Sequence, residues 1–348
     1  MNKLTREIAF ETLYEYLAPL RPYLDDPQVQ EVMVNRHDRI IVERAGQMEH
    51  LDRVVVSEDS LNRALIILRD LNGKGDAPYF DARLPGLRLA GAFAPLAVHG
   101  DLIAIRKHSR QILTLDDYEG KGAFDVVHDA ARAGIPRNDA LLERLSNGGA
   151  AVNEFLKWLV VNRINAACSG GTSSGKTTLL NALYLGVPHR ERLVTIEDIA
   201  ELQLDHPNHV ALEARDGVSV RELVKFSLRL RPDRIVVGEV RGAESIDMMD
   251  AMNTGHRGSV FSFHADSSES APIRLESLLR MSEEGRLMSL AEMRQRIAST
   301  FPFFIHAERY DGNRGPVEIR QVLGVDGDQY RTKLLYKRFV NLEGNQHA

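Results

Sequence analysis

Residues 170–177, with the sequence Gly170-Gly171-Thr172-Ser173-Ser174-Gly175-Lys176-Thr177, decide the fold of the second half of the chain. They match the pattern G-x-x-x-x-G-K-[S/T] in full, follow an apolar run at Ile164–Cys168 and precede a helical stretch that starts at Thr178. Glycines let such a loop wrap so closely that its N–H groups point at phosphate oxygens, and the following helix N-terminus adds positive partial charge. The pattern predicts a P-loop in which residues 170–178 bind ATP, Lys176 reaches the β- and γ-phosphates, and the Thr177 hydroxyl ligates Mg²⁺.

Short apolar runs alternate with helical segments around this loop. Unalternated runs of this kind are typical of strands buried on both faces, and helices between them indicate βαβ units in a mostly parallel sheet. Because ligands bind at the carboxyl ends of such strands, we expect the polar residues after each run to form one site. The runs are Ile164–Cys168, Leu193–Ile196, Ile235–Val237 and Val260–Phe263, followed by the loop, Glu197-Asp198, Gly238-Glu239 and His264.

Hydrolysis needs a positioned water as well as bound phosphates. Glu239 ends an apolar strand, and we expect it to orient that water, with Glu197 as second choice, acting through Mg²⁺. The two roles could be exchanged. The aspartate that usually precedes such a glutamate is absent, because residue 238 is glycine. Asp198 and Glu201 have an alternative explanation, since acidic residues suit the first turn of a helix.

Two histidines, one cysteine and one tryptophan could also belong to the site or to the core beneath it. His264 ends the fourth run and could donate a hydrogen bond to the γ-phosphate or to an acid, whereas His256 lies in a turn and could be purely structural. The histidine spacing and the lone Cys168 match no zinc pattern. Cys168 and Trp158 are expected to pack in the core.

Composition describes an ordinary globular chain and excludes several classes of protein. The 348 residues are 43% hydrophobic and 27% charged, with a formal net charge of −5. This acidic balance speaks against direct nucleic-acid binding. The single cysteine excludes an intrachain disulfide. The N-terminus does not resemble a signal peptide, and no apolar run approaches the ~20 residues that span a bilayer. Any membrane role is therefore expected to be peripheral.

The chain divides into two predicted domains with a linker. Residues 1–108 are expected to form an α/β domain, residues 109–137 a polar linker, and residues 138–348 a P-loop domain with a mostly parallel sheet. The first domain is predicted to contain helices at Leu13–Leu24 and Leu61–Leu71, strands at Val32–Val34 and Ile40–Val42, and extended segments within Leu87–Arg106. After residue 298 we expect antiparallel strands at Phe303–Tyr310, Val317–Val325 and Tyr330–Tyr336, with a hairpin turn at Asp326-Gly327.

Four sequence boxes in order resemble those of the secretion ATPases that power type II and type IV secretion and type IV pili. Matching N-terminal segments bring the resemblance closest to the type IV secretion and conjugation branch, with pilus and Tad-assembly ATPases as near neighbours. The tetracysteine zinc motif of some type II members is absent. The Walker A, Asp, Walker B and His boxes are 170–177, Thr195–Leu202, Arg231–Gly242 and Thr254–Ala265; the N-terminal segments are Leu17–Pro27, Glu31–Asn35, Asp81–Pro85 and Ala104–Lys107.

The resemblance implies a RecA-like core and a hexameric ring that holds nucleotide between the N-terminal and C-terminal domains. It implies that arginines of the first domain complete the catalytic site, and Arg88 and Arg106 occupy matching positions. Arg241, beside Glu239, is another candidate. Arg88 could instead form a surface salt bridge. It also implies domain closure on ATP, with residues 107–137 as the hinge region, and attachment to inner-membrane components of a secretion or pilus machine from the cytoplasm.

Three functions remain open at this point. The first is an ATPase motor of a secretion or conjugation machine. The second is a nucleotide-gated switch or scaffold with little hydrolysis. The third is a nucleic-acid motor, which the acidic balance and the lack of an aromatic and basic stripe disfavour.

Overall fold

The N-terminal part of the chain forms a six-stranded antiparallel sheet covered by helices. The computed structural model describes residues 3–108, 114–120, 122–126 and 138–339. The helices are α1 Lys3–Tyr16, α2 Arg21–Asp25 and α3 Glu58–Leu71; the strands are β1 Val29–Arg36, β2 Arg39–Arg44, β3 Gln47–His50, β4 Tyr79–Leu84, β5 Leu87–Ala92 and β6 Leu102–Lys107. The strand order is β3-β2-β1-β6-β5-β4. Ser57 caps α3 by accepting a hydrogen bond from the Ser60 N–H.

The single helix predicted over Leu13–Leu24 is wrong. Helix α1 ends at Tyr16, a 3₁₀ turn follows at Ala18–Leu20, and α2 begins at Arg21. Pro19 and Pro22 lie in the first turns of the second and third segments, where their missing N–H groups cost no hydrogen bond. The apolar residues of Leu13–Leu24 have this spacing because they are buried in the same core, although they do not form one continuous helix.

The C-terminal part forms an eight-stranded sheet with helices on both faces. Between the two parts the structure describes α4 Leu115–Gly120, whereas most of the predicted linker at 109–137 lies outside the described residues. The helices are α5 Asp139–Arg144, α6 Gly149–Val161, α7 Lys176–Tyr184, α8 Val220–Ser227, α9 Glu244–Asn253, α10 Ala271–Leu279, α11 Glu283–Leu287 and α12 Leu290–Thr300. The strands are β7 Ala166–Gly170, β8 Leu193–Glu197, β9 His209–Glu213, β10 Arg234–Val237, β11 Val260–Phe263, β12 Phe303–Tyr310, β13 Asn313–Asp326 and β14 Gln329–Lys337.

The strand order β14-β13-β12-β7-β11-β10-β8-β9 confirms a mostly parallel sheet with antiparallel C-terminal strands. Strand β12 runs parallel to β7, which carries the phosphate loop, and the predicted hairpin closes between Asp326 and Gln329. Strands β3, β4 and β9 were not predicted. None of the helices in the described ranges is long and apolar enough to cross a membrane.

The two sheets share one hydrophobic core. Met33 and Leu96 of the N-terminal part belong to the same buried cluster as Ile196 and Leu223 of the C-terminal part. Main-chain hydrogen bonds reinforce this contact, because the Val98 N–H donates to the Ala211 carbonyl. The N-terminal sheet therefore packs beside β9, at the edge of the eight-stranded sheet far from β7.

Candidate functional site

The phosphate loop opens into a cavity of about 510 Å³ at the carboxyl ends of the parallel strands. Loop residues 172–178 line one side of this cavity. The polar residues predicted to follow β8, β10 and β11 line the rest, so the structure brings together Glu197, Asp198, Glu239 and His264. The placement expected from the strand ends is therefore observed.

Close packing explains the glycines of the loop. A Cβ on Gly170 would lie 2.3 Å from the Ala307 carbonyl oxygen, so the base of the loop has no room for a side chain. Gly175 adopts a φ of +94°, which favours glycine, and its missing Cβ would meet Arg314 at 2.9 Å. The loop is thus shaped by its contact with strands β12 and β13.

Lys176 is folded back onto its own loop. Its Nζ donates to the carbonyl oxygens of Gly170, at 3.0 Å, and Gly171, at 2.9 Å. Burial lowers the pKa of the Lys176 ammonium, and nearby Glu239 opposes this shift. A buried cation that bonds only to carbonyl oxygens gains from a phosphate, because anionic acceptors form stronger hydrogen bonds.

Glu197 ends β8 in a buried position. Its carboxylate accepts hydrogen bonds from the N–H groups of Glu201, at 3.2 Å, and Leu202, at 3.1 Å. Burial raises the pKa of Glu197, and these two N–H donors oppose the rise. The Thr177 hydroxyl lies 3.4 Å from Glu201. A threonine hydroxyl beside carboxylates in one cavity is an oxygen donor set that suits Mg²⁺ bound also to substrate phosphates.

Gly238 accounts for the missing aspartate of the Walker B box. A Cβ at this position would lie 2.8 Å from Glu197 Cγ and 3.1 Å from its Oε1. The side chain of Glu197 therefore occupies the space that a residue-238 side chain would need. The carboxylate beside the end of β10 is therefore that of Glu197, from the neighbouring strand β8.

Glu239 is the centre of a cluster of charged side chains. Its Oε2 accepts a 3.0 Å hydrogen bond from Arg241, and its Oε1 lies 2.8 Å from His264 Nε2. Arg241 also donates to Asp198. Burial would raise the pKa of Glu239, but Arg241, His264 and Lys176 outweigh burial and lower it. Glu239 is therefore ionised at neutral pH and can accept a hydrogen bond from water.

The remaining sequence candidates lie away from the cavity. Arg88 donates two hydrogen bonds to Asp81, and Arg106 forms an ion pair with buried Glu31, so neither lines the phosphate cavity within one chain.

His256 bonds the Pro232 carbonyl at 2.9 Å, which is a structural role. Cys168 is fully buried, and burial raises its pKa to about 12. Trp158 packs on Phe155 and Phe303.

Arg314 lines the cavity but was missed by sequence reasoning. It follows the turn between β12 and β13, and the glycine and asparagine at 312–313 mark that turn in the sequence. Its position beside the phosphate loop depends on β12 pairing with β7, which a single sequence does not reveal.

Several known proteins are similar to this chain in sequence. Residues 135–300 match a family model described as "Type II/IV secretion system protein". The type IV secretion system protein VirB11 of Brucella suis is 34% identical over 313 residues, covering 85% of this chain and 86% of the relative. The conjugal transfer protein TrbB of Rhizobium radiobacter is 30% identical, covering 93% and 92%.

A solved structure agrees with these relatives. The crystal structure of the VirB11 ATPase from the Brucella suis type IV secretion system, in complex with sulphate, superposes with a TM-score of 0.81 at 31% identity, covering 90% of this chain and 96% of that one. The match extends over both sheets, and the relatives come from the type IV secretion and conjugation branch indicated by the N-terminal segments. This chain belongs to the VirB11 family of type IV secretion system ATPases.

Proposed function

We propose that this chain hydrolyses Mg²⁺-bound ATP and that the energy drives a type IV secretion machine. One observation carries the proposal: Lys176, Glu197 and Glu239 line a single cavity at the strand ends. A phosphate-binding loop alone would support binding, whereas an ionised glutamate beside it supports activation of water.

Each side chain has a role that its position supports. Lys176 exchanges its carbonyl acceptors for the β- and γ-phosphates. Thr177, with Glu197 behind it, would hold Mg²⁺, which neutralises phosphate charge. Glu239 accepts a hydrogen bond from the attacking water and orients it toward the γ-phosphate, and His264 holds the Glu239 carboxylate from the other side. Arg241 leaves its carboxylates to neutralise charge that develops on the γ-phosphate.

The proposal extends to a ring of six subunits in which a neighbour's N-terminal sheet completes the site. Arg88 and Arg106 lie directly opposite each other on β5 and β6, and Arg83 on β4 continues the row. Such a row of guanidinium groups suits the charge of a triphosphate. Because this row does not reach the cavity of its own chain, we assign Arg88 and Arg106 to a neighbouring subunit's site.

The domain arrangement and location belong to the same proposal. Residues 1–108 would act as one domain and 138–348 as the other, with 109–137 linking them. The ring would bind the cytoplasmic side of inner-membrane components. The names of the secretion and conjugation relatives support association with such a machine.

Purified variants test the chemistry. Lys176→Ala should abolish turnover by weakening ATP binding. Glu239→Gln should reduce turnover at least 100-fold while ATP still binds, because it removes the ionised carboxylate that orients the water and leaves Lys176 and the phosphate loop in place. Glu11→Gln, an exposed carboxylate on α1, is the matched control and should keep wild-type turnover. Unchanged turnover in Glu239→Gln would favour the nucleotide-gated switch, and wild-type protein that fails to bind MgATP would exclude both functions.

A further inference from the structure

Arg314 stands out among the cations of the cavity because, within the described ranges, it forms no ion pair with an acidic side chain. Arg241 is paired with Glu239 and Asp198, and Lys176 bonds two carbonyl oxygens. Arg314 is exposed, lines the cavity and packs its Cβ against Gly175 of the phosphate loop. Within the described residues, no carboxylate lies within ion-pair distance of its guanidinium.

A second arginine faces Arg314 across the hairpin. Arg309 on β12 and Arg314 on β13 are directly opposite in the strand register, so their side chains share one face of the sheet. Strand alternation gives this face also to Ile305, which packs in the same core cluster as Leu180 of α7. Both arginines therefore stand on the face that carries the phosphate loop and its helix.

Like charges directly opposite on antiparallel strands destabilise the pair. Arg309, like Arg314, forms no ion pair with a carboxylate in the part of the chain that the structure describes. The hairpin thus holds two arginines without an ion pair in the described part of the chain, beside the predicted phosphate-binding loop. A bound anion at this position would offset their repulsion.

The strand order determines which end of a nucleotide reaches Arg314. Glu197 and Glu239 end β8 and β10, on one side of β7, whereas β12 and β13 lie on the other side. A nucleotide held by the loop with its γ-phosphate toward Glu239 directs its α-phosphate and nucleoside toward Arg314. We propose that Arg314 binds the α-phosphate and nucleoside end of the nucleotide, and that Arg309 strengthens the positive potential there.

This inference rests on the proposed ATP binding and deepens it, because it assigns recognition of the nucleoside end to a C-terminal hairpin. A guanidinium can bond a phosphate oxygen and stack on a base at the same time. Inorganic pyrophosphate lacks the nucleoside, and in this proposal it occupies the β- and γ-phosphate positions beside Lys176. A contact at the nucleoside end therefore affects ADP and spares pyrophosphate.

Titration calorimetry with MgADP and with magnesium pyrophosphate tests the assignment. Arg314→Ala should weaken MgADP binding roughly tenfold or more, the size expected for loss of a charged hydrogen bond, and leave pyrophosphate binding unchanged. Arg314→Lys should recover part of the loss. Arg331→Ala, which removes an exposed arginine on β14 outside the cavity, is the matched control and should bind both ligands like the wild type.

Three outcomes overturn the assignment. Arg314→Ala could bind MgADP like the wild type, or it could lose MgADP and pyrophosphate equally, which would place its effect on the loop itself. It could also melt well below Arg331→Ala without ligand, which would show a structural role; removing one of two facing arginines should leave melting unchanged or raise it. If the wild type binds neither ligand, the proposed ATP binding itself is contradicted, and not only the role of Arg314.

Discussion

At the scale of single residues, Gly238 links the unusual sequence of the Walker B box to the geometry of the site. The sequence showed that the aspartate was missing but not why. The structure gives a steric reason, since the buried Glu197 side chain fills the space next to Gly238. Two N–H donors hold that carboxylate in place, so it cannot move aside without losing hydrogen bonds.

Gly238→Ala should therefore damage both stability and turnover. Overpacking against the buried Glu197 side chain costs about 1–3 kcal/mol, and displacing Glu197 removes it from the cavity. Thermal melting and ATPase assays measure the two effects. Gly120→Ala is the control, because a Cβ there meets nothing within 4 Å. If Gly238→Ala melts and turns over like Gly120→Ala, steric exclusion is not the reason for the glycine.

The site residues that could be predicted were those fixed by local sequence. Glu239 and His264 each follow a buried apolar run, and the parallel sheet brings the ends of such runs together. Arg314 could not be predicted, because its place depends on which strand pairs with β7. The partner of Arg106, Glu31, also depends on a contact between distant segments.

At the scale of secondary-structure elements, the strands with strong apolar runs were predicted and the weaker ones were missed. Strand β9 begins with His209 and ends with Glu213, so polar residues at its ends hid a short buried strand. Its parallel pairing with β8 and the cover of the N-terminal sheet bury it despite this composition. The break between α1 and α2 shows the opposite case, where proline overrode a helical spacing.

His209 makes β9 sensitive to acid. The buried ring bonds the Thr195 hydroxyl at 2.9 Å, and burial together with neighbouring positive groups lowers its pKa to about 3. An unfolded chain protonates this histidine below pH ~6.5, while the folded protein does not. The contribution of His209 to the free energy of unfolding is therefore complete above that pH. It falls by about 1.4 kcal/mol per pH unit toward pH 3.

His209→Gln should remove most of that dependence. Urea unfolding between pH 7 and pH 4.5 measures it, and the stability of the variant should decline less steeply than that of the wild type by up to about 1.4 kcal/mol per unit. His108→Gln changes an exposed histidine and should keep the wild-type slope. Equal slopes in all three proteins would show that His209 does not couple folding to protons.

At the scale of the whole molecule, buried polar contacts join the two sheets. Arg231 donates two hydrogen bonds to Glu43 of β2, at 2.8 and 3.0 Å, and one to Asp233. Arg192, which is fully buried, bonds Asn35 of β1. These contacts lie at the starts of β8 and β10, whose far ends carry Glu197 and Glu239. Because of these contacts, we expect the N-terminal sheet and the C-terminal sheet of one chain to move together, so that movement between subunits is favoured over closure within one chain.

Breaking this connection should separate the unfolding of the two parts. Arg231→Ala removes the cation that pairs with both Glu43 and buried Glu31. This loss should lower the free energy of unfolding by about 3–5 kcal/mol. Trp158, the only tryptophan, reports on the C-terminal part by fluorescence, whereas far-ultraviolet circular dichroism reports on both. The two signals should coincide during urea unfolding of the wild type and diverge in Arg231→Ala, with circular dichroism changing first.

Arg63→Ala, which breaks an exposed pair with Asp59, should keep the signals together. Coincident signals in Arg231→Ala would mean that the shared apolar core alone unites the two sheets.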